Sequence, residues 1–286
     1  MRVTFFSVGV LALALFGCTA NDQSASPTGT GTATAATTAG PVAAETAPLT
    51  FDRWSVVLVT LSPPGRPQIT SSFCRFPTPL VWADRLAASG DCRLLHWGEA
   101  QELAGILEPL DVGEITVEVN DVEVPLRPLD PSLSCLREAG LSVPDLRTGD
   151  VVRVRSTGGA DVPAFDLSLP VPDTAGAATT PPGESLEIGA PWALGWTGTR
   201  ASDVFVEVRG KLADRDLALS CRGLAGESLT LPAELTALWP AGVERAKIQT
   251  GTEVAIDTGG SEPVTLRITA YDDEVGTRVT VGGPTP

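Results

Sequence analysis

Five cysteines, one histidine and thirty-five carboxylates bound the chemistry open to this chain of 286 residues. The most directed of these groups is the thiol of Cys18. A single basic residue, Arg2, precedes an almost unbroken run of apolar and small residues that ends in Leu15-Phe16-Gly17-Cys18. That order reads as a secretory signal closing on a lipobox, although Phe16 is bulkier than the small residue usual there. The run falls short of the roughly 20 apolar residues that span a bilayer. The expected chemistry is covalent. The Cys18 thiol takes a diacylglycerol, cleavage removes residues 1–17, and the freed amine takes an acyl chain.

The other four cysteines, Cys74, Cys92, Cys135 and Cys221, allow three disulfide pairings in an oxidising compartment. The expected bridge is Cys74–Cys92, whose closed loop is modest and lies within one β-rich region. Cys135 and Cys221 then pair with each other or stay as buried thiols. The single histidine, His96, would have to serve any Ser-His-acid relay, yet no Gly-x-Ser-x-Gly elbow is present. Its place in Leu95-His96-Trp97 suits a structural or surface position on a strand. No metal site is expected, since one histidine and no paired CxxC exclude the usual zinc sets. Asp272-Asp273-Glu274 lacks the alternating pattern of a calcium loop and reads as a solvated turn. No catalytic residue is assigned, because no pair of carboxylates is singled out for glycoside chemistry. Tryptophans offer one more chemistry, stacking on sugar rings. Trp82, Trp97, Trp192 and Trp239 lie near strand ends or loops, and Trp97 and Trp239 are the candidates to face a ligand. Trp54 and Trp196, inside strands, are core candidates.

Elements must position these groups, and composition says which kind. The chain has 29 glycines, 24 prolines and 43% hydrophobic residues in short segments cut by turn residues, an ordered, mainly β composition. Its net charge of −15 argues against nucleic acid and against an electrostatic grip on anionic lipid. Eighteen of the twenty basic residues are arginine, with Lys211 and Lys247 the exceptions. This reads as coding bias in a GC-rich bacterium and not as a guanidinium-based binding site.

Residues 18–47 carry the lipidated cysteine and a Thr/Ala/Gly/Ser/Pro-rich stretch expected to be a disordered tether, with a root-mean-square reach of roughly 30 Å. Order is expected from residue 48. Strands are read at 51–61, 91–97, 113–120, 122–126, 150–156 and 164–169, with a hairpin turn at Asn120-Asp121. Helices are read at 132–139, bracketed by Pro131 and Gly140, and at 99–107. A second linker is placed at 172–184. Further strands follow at 185–188, 192–196, 204–209, 217–222, 228–231, 253–257, 264–271 and 277–281, with a helix at 232–239. The expected architecture is all-β. Two tandem immunoglobulin-like β-sandwich domains, 48–171 and 185–286, carry short helices and follow the lipoprotein signal and the tether.

The runs Leu110-Asp-Val-Gly-Glu-Ile-Thr-Val-Glu-Val, Thr148-Gly-Asp-Val-Val-Arg-Val-Arg-Ser and Leu194-Gly-Trp-Thr197, with Cys221 and Thr230-Leu-Pro-Ala-Glu-Leu235, resemble a set of lipoproteins abundant in myxobacteria. The likeness covers most of residues 50–270. It implies an exported all-β envelope protein and brings no catalytic residues. The expectation is a lipid-anchored envelope protein with a structural or binding role and no catalysis, the alternatives being a carbohydrate-binding lipoprotein and an envelope hydrolase. No cofactor is expected beyond the lipid on Cys18. The expected partners are the membrane, through that anchor, and envelope proteins or glycans. Thr19 after Cys18 favours the outer membrane.

Overall fold

A computed structural model describes residues 37–38, 42–43, 49–62, 67–96, 107–129, 135–140, 143–173, 178–179, 185–197, 203–212, 215–224, 228–240, 242–243, 245–271 and 277–282. Cys18, the signal, Trp97, nearly all of the expected helix 99–107 and Asp272–Glu274 lie outside these residues.

The described chain is predominantly strand. In order these are β1 (Thr37–Thr38), β2 (Val42–Ala43), β3 (Leu49–Leu61), β4 (Gln68–Ser89), β5 (Cys92–His96), β6 (Glu108–Pro109), β7 (Ile115–Val119), β8 (Val122–Pro128), β9 (Leu136–Ala139) and β10 (Val151–Ser156). There follow β11 (Phe165–Pro170), β12 (Ala178–Thr179), β13 (Ser185–Glu187), β14 (Trp192–Trp196), β15 (Asp203–Leu212), β16 (Arg215–Leu224), β17 (Ser228–Leu231), β18 (Arg245–Asp257), β19 (Thr265–Tyr271) and β20 (Thr277–Gly282). A one-turn helix, Ala233–Thr236, falls inside the expected 232–239 segment.

Alternation drives this arrangement. In β7 the buried Ile115, Val117 and Val119 face inward, and β8 returns across Asn120 and Asp121, both with positive φ as a tight hairpin turn requires. One apolar core joins β7, β8, β10 and β11 to Val57, Val59, Ile69, Phe73, Leu266 and Ile268 on β3, β4 and β19. A second joins Trp192, Leu194, Trp196, Leu229 and Leu231 on β14 and β17 to Val204, Val206, Val208, Leu217, Leu219 and Ile248 on β15, β16 and β18.

These two cores are not separated at the 172–184 segment. β3 pairs in parallel with β19, and β5 pairs with β16, so strands from both halves of the chain share one sheet. Within that sheet seven strands close on themselves in the order β3-β4-β5-β16-β15-β18-β19 and back to β3. The ring is the centre of the molecule.

Several expectations change. Cys74 bonds to Cys135 and Cys92 to Cys221, in place of the expected Cys74–Cys92 bridge. The reason is pairing: Leu136 lies opposite Ser72, and Cys221 lies opposite Cys92, across hydrogen-bonded strands. The expected helix at 132–139 gives way to β9 over Leu136–Ala139, which pairs with β4 on one side and β8 on the other. Two tertiary strand partners outweigh the Pro131 and Gly140 punctuation. The tether and linker also contribute strands, since Thr37–Thr38 pairs with Leu229–Thr230, Val42–Ala43 with Ala88–Ser89, and Ala178–Thr179 with Gly195–Trp196.

Candidate functional site

The ring has an outer face and an inner one. Residues of one parity face the two apolar cores. Those of the other parity share the inner face: Phe205, Glu207 and Arg209 on β15, Ser220 and Arg222 on β16, Gln249 and Glu253 on β18, and Arg267, Thr269 and Tyr271 on β19. Strand register places Glu207 opposite Gln249 and Ser220, and Glu253 opposite Thr269. Trp54, Val56 and Leu58 of β3, with Phe76 of β4, give this face a buried apolar stretch in which Trp54 and Phe76 meet edge to face at 4.7 Å.

The charged groups form one network. Arg209 Nε donates to Glu207 Oε2 at 2.9 Å, and Arg222 Nη2 donates to Glu207 Oε1 at 3.0 Å. Ser220 Oγ donates to the same Oε1 at 3.4 Å. Arg222 Nη1 reaches past β15 to Glu253 Oε2 on β18 at 2.6 Å, and Thr269 Oγ1 donates to that oxygen at 3.4 Å. Tyr271 lies near enough to Arg209 to interact with its charge, and its ring meets Phe205 edge to face at 5.3 Å. The Arg222 guanidinium lies 5.4 Å from the Phe205 ring centre. Contacts between β16 and β18, and between β15 and β19, skip a strand, which requires the concave side of a curved sheet.

Gly251 on β18 makes the approach of Phe205 feasible. A Cβ there would lie 2.5 Å from Phe205 Cζ and 2.6 Å from the Ala270 carbonyl oxygen.

Burial pushes the Glu207 carboxyl up, but Arg209 and Arg222 more than offset this and hold it below the usual carboxylate range. Burial works against the charge on both arginines, yet Glu207 raises Arg209, and Glu253 with Glu207 raises Arg222. Tyr271 is raised by burial and by Glu207, with the two arginines pulling the other way. At neutral pH the Glu207 carboxylate therefore lies between the charged Arg209 and Arg222 guanidinium groups, beside the neutral phenol of Tyr271.

The residues singled out from sequence lie elsewhere. Trp239 does not face a ligand: it is 2% exposed and packs against Trp192 at a ring separation of 5.4 Å. Gly210 of β15 makes room for it, since a Cβ there would lie 2.9 Å from Trp239 Cζ2. Trp54 and Trp196 are buried, as expected of core residues. The backbone of His96 pairs with Asp84 and Leu217. Cys74 and Cys92 are both disulfide-bonded, each to a different partner from the one expected. Among the described residues no group of three or more His, Cys, Asp or Glu could hold a metal ion. No described helix is long and apolar enough to cross a membrane.

Sequence reasoning missed the inner face. Its signal was present in Phe205-Val-Glu-Val-Arg209, an alternation normally read as a core face and a solvent face. Two other features are structural by geometry. Asp111 accepts backbone N–H bonds from Ala160 and Gly113, which lower its carboxyl and tie two loops together. Arg153 and Arg155 bridge to Glu118, Glu123 and Asp166 across β10, β7, β8 and β11 on an open, solvated surface, where such pairs contribute little.

No protein-family model matches the chain, and neither a curated protein nor a solved structure shows significant similarity to it.

Proposed function

We propose that this chain is a lipid-anchored protein of the cell envelope with a structural or binding role and no catalysis. The acyl chains sit on Cys18, and Thr19 directs it to the outer membrane. The acidic β body then acts by what it contacts. The observation that carries this reading is the state of Glu207. This deeply buried acid lies between Arg209 and Arg222, which hold it ionised. Arg209 and Arg222 occupy one carboxylate oxygen each. Paired this way Glu207 fixes shape and charge. An open sheet margin supports the interaction role, because among the described residues β11 hydrogen-bonds only to β10. The two fused cores and two disulfides suit the oxidising space outside the inner membrane.

Metabolic labelling with a palmitate analogue tests the anchor. The intact chain takes the label and sediments with membranes, while Cys18→Ser does neither. Unlabelled native protein, or a Cys18→Ser variant that fractionates unchanged, refutes the anchor. Crosslinking in native envelopes, followed by capture of the lipidated protein, tests the interaction role. Recovery of the same material with an unlipidated control counts against it.

A further inference from the structure

We propose that the inner face of the ring binds one small oxyanion, a carboxylate or a phosphate, through Arg267 and the adjoining edge of the Arg222–Glu253 pair. Arg267 is 4% exposed, and its Nε and Nη1 are buried with no hydrogen-bond partner. Its nearest carboxylate oxygen, Glu253 Oε1, is 3.8 Å from Nε, beyond hydrogen-bond range. Burying guanidinium N–H groups without acceptors carries a large cost, so the arrangement lacks an acceptor at this point.

The neighbouring carboxylates supply charge but no hydrogen-bond acceptor within reach. Glu207 is already shared by Arg209, Arg222 and Ser220 and Glu253 Oε2 by Arg222 and Thr269, while among the described residues Glu253 Oε1 forms only the 3.8 Å ion pair with Arg267. The network brings Arg209, Arg222 and Arg267 to those two carboxylates, and the register adds Arg93 opposite Ser220 and Lys247 opposite Arg209 to the same face. A further anion offsets part of this excess of cations over the two network carboxylates, whereas a cation would increase it. The opposing residues in register with Arg267, Leu58 and Ala255, contribute no polar side chain.

The network around Glu207 and Glu253 is not sealed. The side chains of Arg222 and Glu253 remain 21% and 18% exposed, and that of Arg209 remains 19% exposed. Solvent space therefore reaches the network even though its backbone lies in the closed ring. A planar guanidinium suits the oxygens of carboxylate and phosphate, and burial strengthens such charge-assisted bonds. The enclosure limits the bound group to a small anion or to the anionic head of a longer molecule. This proposal goes beyond the envelope role and does not depend on Cys18 lipidation, so either can fail alone.

The test is thermal unfolding of the detergent-solubilised full chain with sodium phosphate, sodium acetate or sodium chloride at matched ionic strength. The expected result is a saturable rise in Tm of several degrees with phosphate or acetate and none with chloride; the effective salt identifies the oxyanion class. Arg267→Gln abolishes the rise, and Arg153→Gln on the solvated face of β10 keeps it. Equal responses to all three salts overturn the proposal, as does a rise that survives in Arg267→Gln. If Arg267→Gln does not fold, calorimetric titration of the unmodified protein with phosphate and acetate decides. Saturable heat at one site supports the proposal, and its absence with both anions overturns it.

Discussion

Replacing Glu207 by glutamine changes one charge at the point where two arginines converge. The Glu207 side chain is 4% exposed, against 19% for Arg209 and 21% for Arg222. Removing one partner of a buried ion pair costs about 3–5 kcal/mol, because the remaining charges stay desolvated without compensation. Glutamine keeps the shape and one oxygen acceptor, and Arg222 keeps its bond to Glu253. The lower end, about 3 kcal/mol, therefore applies at pH 7. For a chain of this size that corresponds to a fall in Tm of roughly 10 °C. Urea unfolding followed by tryptophan fluorescence measures it, with Trp54 inside the ring and Trp192 and Trp239 in the core outside as reporters.

The same pair predicts a pH signature. The Glu207 carboxyl lies below its ordinary value in the folded protein, so its contribution is present above the unfolded pKa of about 4.3 and is lost as pH falls through the folded value. Glutamine does not titrate. The stability gap between the two proteins should hold from pH 6 to 8 and narrow on acidification below about pH 4. A gap under about 1 kcal/mol at pH 7 refutes the reasoning, since exposed pairs contribute that little. So does a gap that persists unchanged to pH 3.

Three further outcomes follow from the packing. Peptide mapping without reductant should recover Cys74 linked to Cys135 and Cys92 linked to Cys221; a Cys74–Cys92 peptide would overturn the topology. Serine at both Cys92 and Cys221, which lie 129 residues apart, should cost up to about 5 kcal/mol in urea unfolding, and serine at Cys74 and Cys135, 61 apart, about 4. Gly251→Ala should cost about 1–3 kcal/mol through overlap with Phe205, and Phe205→Leu should recover part of that loss. Full additivity of the two changes would show that they do not touch. Trp239→Ala should cost roughly 3–5 kcal/mol, as expected for a core aromatic, and a loss below 1 kcal/mol would put the indole at the surface.

Much of the strand pattern was legible because period-two alternation is local. The 192–196 and 228–231 strands are observed over the same residues, and the β7–β8 hairpin turns at Asn120-Asp121 as read. What alternation cannot reveal is the environment of the second face. Glu207 and Arg209 in β15 follow the same rule as Glu118 and Arg153 on the solvated face of β7 and β10, yet the first pair lies within the ring. Closure of seven strands is a long-range property, and β4, which helps close them, was missed. Its Pro77 and Pro79 interrupt the apolar pattern, and its pairing changes along its length from β3, β9 and β6 to β5 and β2. Preference for the short Cys74–Cys92 loop failed for a related reason. Cysteine pairing follows neighbouring strands, and here β5 neighbours β16 from the far half of the chain. The arginine content read as coding bias concealed Arg209, Arg222 and Arg267, which only the register brings together.

The parallel pairing of β3 with β19 also fixes an order of events. Val56 to Val59 sit in register with Thr265 to Ile268, so a strand near the start of the body waits for one near its end. A chain emerging from its amino terminus presents that apolar strand before its partner exists. The first half therefore cannot complete its sheet and then wait, as an independent bead would. Shortening the chain before residue 265 would leave the early strand with an open flank, and that strand must be kept from premature association until the segment from residue 265 onward is available. A body built on this closure gains its final form late, once two strands about 200 residues apart are both present to pair.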